Sequence, residues 1–283
     1  MNFLFPFAAA ILQAASFTLD KFILSLKRMN FKEYIGVSFP LYFLVILAAF
    51  FIVRPEISLR TLLTGNNLPL ILLSSALIIV TNILYYRALD RDTLGEIQTF
   101  DMLHAIPIII MSSLFFVDER NYVVVIPAII AALAVVWSHW EHHRIKIKKY
   151  TLPLVIWSLV VAPVGAAILK ILLQTWNPIS LELIRSGFIA LVFVVMFWRY
   201  IKNVTPQKVG LQIITNILTA VAWIFFFYSY QRSGIVYTVL LFSLQPFLVY
   251  LTSLFFLKEK FHPKKAVAFV VVLISIVAAH ALR

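Results

Sequence analysis

Apolar stretches, each long enough to cross a bilayer, follow one another along the whole chain, and a helix that crosses needs about 20 such residues. Cut where charges, Pro and Gly cluster, they fall at 3–26, 32–53, 68–89, 94–116, 121–139, 151–174, 179–200, 208–230, 235–257 and 265–282. Ten helices of that length would use about 200 residues, which leaves no room for a soluble domain in a chain of 283. The composition agrees, with 62% apolar and 13% charged residues, against about 45–50% and about 25% in a water-soluble domain. One core of this size cannot hide that surplus, so the remaining solvent is lipid. The runs lack the strict polar alternation of an outer-membrane barrel strand, which makes all-α the expected class. The first 16 residues, MNFLFPFAAAILQAAS, have no basic region before the apolar stretch and read as the first membrane helix, not as a signal peptide.

The formal charge of +12 would suggest nucleic acid on a soluble protein. Here the basic residues lie in loops, and no basic run is interleaved with aromatics on a polar face, so anionic lipid is the expected partner and nucleic acid is not. The odd-numbered loops hold sixteen Lys and Arg, whereas the even-numbered loops and the termini hold five. Positive-inside reasoning places the odd loops in the cytoplasm and both termini outside, with the plasma membrane as the expected location. The absence of cysteine removes disulfides, thiolate nucleophiles and Cys-ligated metals. No Gly-rich phosphate loop is present, which excludes ATP-driven pumping within the chain.

The connection from His139 to Tyr150, HWEHHRIKIKKY, divides the spans five and five. A shift of 140 residues lays Ser113-Leu114-Phe115-Phe116-Val117-Asp118-Glu119-Arg120 on Ser253-Leu254-Phe255-Phe256-Leu257-Lys258-Glu259-Lys260, with five of eight positions identical. A shift of 149 lays Lys21 on Lys170 and Glu33 on Glu182. The sequence therefore reads as two five-helix repeats, 1–140 and 151–283, joined by a basic linker at 141–150. Five is odd, so the second copy enters the membrane from the opposite side and the repeats are inverted.

Polar residues near span centres mark the expected site. Span one places Gln13, Ser16 and Asp20 on one helical face. Span three carries Asn82 and Tyr86, span four Glu96, Gln98, Asp101 and His104, span eight Asn216, Trp223 and Tyr230, and span nine Gln245 before Pro246. Spans five and ten carry almost nothing polar at their centres and read as peripheral, a surface for lipid and for pairing two copies. Polar groups cannot face hydrocarbon unpaired, so the lining implies a central cavity, although single hydroxyls and amides also tie helices together. Asp101 and His104, three apart at mid-depth, can share a face and relay a proton or bind a substrate amine, and Asp20 is a further candidate for coupling. Lys21 and Lys170 lie near span ends and are expected to snorkel. Glu182 and Arg185 are expected to pair along their helix, and Glu119 and Glu259 to cap or gate helix ends.

With these residues in view, the whole chain resembles the drug/metabolite transporter superfamily, specifically the EamA-type permeases with ten helices in two inverted five-helix repeats. The resemblance rests on QPFLVYLTSLFFLKEK at 245–260, its weaker copy IPIIIMSSLFFVDER at 106–120, and PISLELIRSGF at 178–188, where Arg185 stands at a position often basic in that family. Lys258 and Asp118 replace its usual Gly before Glu, Gly36 replaces the Arg of the first repeat, and the family's termini are cytoplasmic. The resemblance implies a permease of small metabolites, amino acids first, working by alternating access without a cofactor. Gln13, Asn82, Tyr86, Asp101, His104, Asn216, Trp223 and Gln245 are the expected pocket, with Asp20, Asp101 and His104 as candidates for proton coupling. Efflux of organic cations or drugs is the alternative on the same fold. A membrane-embedded lipid-modifying enzyme is the alternative of another class. Its only His cluster, HWEHH at 139–143, sits in a basic loop with one carboxylate, so no metal site is expected.

Overall fold

A computed structural model describes residues 3–26, 29–92, 94, 97, 102–138, 149–201, 205–256 and 263–281. Among them every regular element is helical. They are α1 (Leu4–Ser25), α2 (Phe31–Val53), α3 (Leu59–Leu63), α4 (Asn67–Arg91), α5 (Ala105–Phe115), α6 (Tyr122–Trp137), α7 (Thr151–Leu173), α8 (Pro178–Ile201), α9 (Pro206–Ser233), α10 (Ile235–Phe242), α11 (Gln245–Phe256) and α12 (Pro263–Ala281). Single 3-10 turns cover Met102–His104 and Val117–Glu119. Seven candidate membrane spans are long and apolar enough to cross a membrane, and three shorter apolar helices accompany them.

Local signals explain several boundaries. Asn30 starts α2 with a capping box, its Oδ1 accepting from the backbone of Lys32 and Glu33 while Glu33 reaches back to the Asn30 N–H. Arg54 ends α2 in the left-handed region at φ 52°. The long ninth span is not one helix. It breaks at Ser243-Leu244, because Pro246 offers no N–H to the turn before it and fits only in the first turn of a new helix. In the fourth span, expected as one helix over 94–116, residues 95, 96 and 98–101 lie outside the described residues. His104 closes a 3-10 turn, and α5 starts at Ala105 with Pro107 in its first turn. Asp101 lies outside the described residues, so its expected shared face with His104 does too.

The helices pack into one bundle. Helix α2 lies along α8, α1 along α9, α6 along α12, and α4 along α7, while α1 also packs on α10 and α11. Directions follow from paired contacts. Phe5 meets Phe225 at 5.5 Å and Asp20 meets Thr215, so α1 and α9 run antiparallel. Trp157 meets Thr81 and Thr151 meets Asp92, so α4 and α7 do likewise. Helices α2 and α8 come close at Gly36, where a Cβ would lie 3.0 Å from Ile201 Cγ1 and 3.2 Å from Phe197 Cβ. Phe197 itself kinks α8 at φ −116°, ψ 15°. Helices α6 and α12 bury Ala128, Ala131, Ala132, Ala268, Val272 and Ala279 and leave Ile126, Ile130, Val270 and Ile274 exposed. They are coated with apolar side chains on the outside, as lipid contact requires.

Gly36→Leu overfills the α2–α8 contact and should destabilise the protein by about 1–3 kcal/mol. Denaturant unfolding in mixed micelles measures it, and a value within error of the parent would mean that the two helices part without cost.

Candidate functional site

The face of α1 that carries Gln13, Ser16 and Asp20 turns inward, and Asp20 is only 2% exposed. Its carboxylate accepts three hydroxyls from three other helices. Tyr34 OH from α2 and Thr215 Oγ1 from α9 both donate to Oδ1 at 2.5 Å, and Tyr86 OH from α4 donates to Oδ2 at 3.1 Å. A charge in lipid survives only with such partners. Ser16 Oγ lies 2.8 Å from Thr215 Oγ1 and 2.5 Å from Thr219 Oγ1. Each hydroxyl has one proton to give. With Thr215 donating to Asp20, Ser16 has the Thr215 hydroxyl and, at 3.2 Å, the Thr215 carbonyl as acceptors, so Thr219, Ser16 and Thr215 form a row of hydroxyls that ends on the carboxylate. The rings of Tyr34 and Tyr86 lie 4.9 Å apart and close the cluster on the α4 side.

One turn away, Asn216 Nδ2 donates to Ser38 Oγ at 2.9 Å and to Gln212 O at 2.6 Å. Asn216 therefore ties α9 to α2, and Asn82 donates to Ile78 O within its own helix. Gln13 is buried and its Oε1 has no partner among the described residues. Trp223 is half-buried against Phe226 and Phe227, and the Tyr230 ring lies tilted against Phe226 with centroids 4.6 Å apart. Gln245 is buried at the start of α11, just past the break in the ninth span, and His104 sits at the corresponding place in the fourth, at the end of the 3-10 turn before α5. Helix α1 packs on both α10 and α11, and α7 packs on the 3-10 turn that holds His104. The structure thus brings Asp20 and Tyr86 together directly and sets Gln13 on the same face of α1. It places His104 in the 3-10 turn that packs on α7.

A second polar group joins α2 to α8. Arg185 Nη1 donates to Glu182 Oε2 at 3.0 Å, and Tyr42 OH donates to the other Glu182 oxygen at 2.9 Å. The guanidinium lies over Phe227 at 5.4 Å, and its Nε has no partner among the described residues. A third group lies at the end of the bundle that carries the even-numbered loops. Lys170 was expected to snorkel, but it is 8% exposed and donates to Asp118 Oδ2 and Glu119 Oε1 at 2.5 Å each. Two acidic partners from the α5–α6 turn hold it inside. At the opposite end Lys21 donates to the carbonyls of Leu89 and Asp92, closing the C-terminus of α4.

Two participants escaped the sequence reading. Tyr34 and Thr215, which hold Asp20, sit in apolar helices where a tyrosine or threonine reads as ordinary packing. Ser38, four residues after Tyr34, was the available sign that this face of α2 is polar. Among the described residues no group of three His, Asp or Glu could hold a metal ion, and HWEHH lies outside them.

Residues 150–279 match the EamA-like transporter family. No curated protein matches the chain. A solved crystal structure of a protein aligns over 99% of this chain and 98% of its own with a TM-score of 0.73 and 13% identity, which is a likeness of fold alone.

Arg185→Met leaves Glu182 charged, buried and short of its main partner, and should cost about 3–5 kcal/mol. The double variant Arg185→Met, Glu182→Met should recover most of that loss. Equal losses for single and double variants, in unfolding experiments in micelles, would show that the pair is not coupled.

Proposed function

We propose, from the match of residues 150–279 to the EamA-like transporter family, that the whole chain is a secondary transporter of a small metabolite, working by alternating access. It is built as two inverted five-helix repeats, 1–140 and 151–283, about the linker at 141–150. The observation that carries the reading is a pair of irregular turns ahead of a proline in the fourth and ninth spans. In the fourth a 3-10 turn ending at His104 leads into α5 ahead of Pro107, and in the ninth a turn at Ser243-Leu244 separates α10 from α11 ahead of Pro246, at corresponding places in the two halves. Broken helices at matching positions are where carriers with inverted repeats place their substrate, because the freed backbone groups can be satisfied only by protein, water or ligand.

The packing supports the repeat. Exchanging each helix for the one five spans on turns α1–α9 into α7–α4, α1–α11 into α7–α5, and α2–α9 into α8–α4, all of which are contacts in the bundle. The pairs α2–α8 and α6–α12 map onto themselves. Seven long and three shorter apolar helices support a count of ten. The chain is read as a carrier, not an enzyme, in the plasma membrane with its odd-numbered loops in the cytoplasm, on the charge count.

Amino acids and related polar metabolites are the proposed substrates. Gln13, with a free carbonyl oxygen, and Gln245, His104, Trp223 and Tyr86 would shape the pocket, while Asn216 and Asn82 serve the helices. Asp20 is the proposed coupling group. A proton on either oxygen removes an acceptor that a hydroxyl of α2, α4 or α9 now uses, so proton binding would loosen α1 from helices of both repeats. The row Thr219–Ser16–Thr215 supplies a route to it. Asp101 stays a candidate for the same role.

Proteoliposomes with an internal pH dye test the proposal, using pools of amino acids and of organic cations. Flux with the amino-acid pool, accompanied by a pH change that Asp20→Asn abolishes, is the expected result. Flux without any pH change would remove Asp20 from coupling, and no flux from any pool would overturn the carrier reading.

A further inference from the structure

The end of α5 is tied to the second half of the chain by one side chain. Glu119 follows α5 in a 3-10 turn and is 5% exposed. Its Oε1 accepts the Ile235 N–H at 2.7 Å and its Oε2 the Val236 N–H at 3.0 Å, while Lys170 at the end of α7 donates to Oε1. Helix α10 is thus capped by a residue 116 positions earlier in sequence, where a capping side chain normally comes from the helix's own N-terminus. Gly234, at φ +85°, makes the approach possible. A Cβ there would lie 2.7 Å from Glu119 Oε1 and 2.9 Å from Oε2. Asp118 adds a second, exposed carboxylate to Lys170, and the Lys170 ammonium lies 4.8 Å from the Phe116 ring centre.

We infer that Glu119, Lys170 and the Gly234–Val236 backbone form a clasp that closes the even-loop end of the bundle and opens when that end is exposed. This rests on the alternating-access reading. The clasp joins α5 of the first half to α7 and α10 of the second, the elements that must separate if the halves rock. It is made entirely at helix ends, so it releases without breaking a bond inside any helix. The N–H groups and charges it frees lie at the rim, where water can take them up. A static cap has no need of a partner from the other half, nor of a second charged contact through Lys170. The opposite end has its own lysine, Lys21, on the carbonyls of α4. Glu259, the repeat counterpart of Glu119, lies outside the described residues.

The chain has no cysteine, so one introduced thiol reports without background. Thr238→Cys lies one turn into α10, fully buried behind the clasp, and Ser158→Cys is a buried reference on α7. Each is carried by the parent, by Glu119→Gln, which removes the charge, and by Gly234→Ala, which keeps every charge but drives a methyl into the carboxylate. Maleimide labelling in nanodiscs needs no substrate, so it tests the clasp separately from transport. The expected result is labelling of Cys at 238 faster by about tenfold in both clasp variants, the effect of about 1.4 kcal/mol on an opening equilibrium, with position 158 unchanged. No acceleration at 238 in either variant would make Glu119 a static cap. Equal acceleration at 238 and 158 would mean general loosening and would also overturn the clasp.

Discussion

A carboxylate buried in a bundle that lipid surrounds has to find its hydrogen bonds in the protein, and the arrangement of the four helices about Asp20 follows from that requirement. Tyr34, Tyr86 and Thr215 come from α2, α4 and α9 and converge on one group of α1. No one of these helices can rotate or slide by a turn without leaving an acceptor or a hydroxyl unpaired in a low dielectric, where the loss is greatest. Apolar contacts between helices supply no such register, because lipid tails are as apolar as Leu. Asn216 with Ser38, and Glu182 with Arg185 and Tyr42, repeat the principle along the α2–α9 and α2–α8 seams.

The same accounting governs the backbone. In the ninth span Pro246 has no N–H to give the preceding turn, and the chain bridges Ser243-Leu244 with turn hydrogen bonds between α10 and α11; in the fourth a 3-10 turn leads into α5 and Pro107. Where α10 begins, its first N–H groups are met by Glu119 across the bundle. On the proposed reading these two solutions differ in purpose. The turns place polar backbone at the centre for a substrate, and the clasp uses polar backbone at the rim to hold one end closed.

Much of the fold was legible because the apolar runs are long and their interruptions are charged. The boundaries of α1, α2, α4, α7 and α8 fall within a few residues of those runs. The break in the ninth span was not read, since Pro near a helix start and Pro in a kinked helix give the same one-letter pattern. Of the site, the inward face of Gln13, Ser16 and Asp20 was visible as a helical spacing. Its partners were not, because which tyrosine or threonine meets a carboxylate depends on crossing geometry between distant segments. Lys170 shows the same limit, for position near a span end suggested the interface and only the folded α5–α6 turn supplies the two acids that draw it in.

The central claim is that the two ends of the bundle open in alternation and that the protonation state of Asp20 biases the choice. Distances between spin labels test it most directly. One pair, at Asn66 and Arg232, spans the even-loop end, and another, at Arg91 and Gln207, spans the odd-loop end, all four positions being exposed. The account predicts two populations at each end that shift in opposite directions when Asp20→Asn is introduced, one distance widening as the other narrows. A single unchanged distribution at both ends, with and without the substitution, would contradict it.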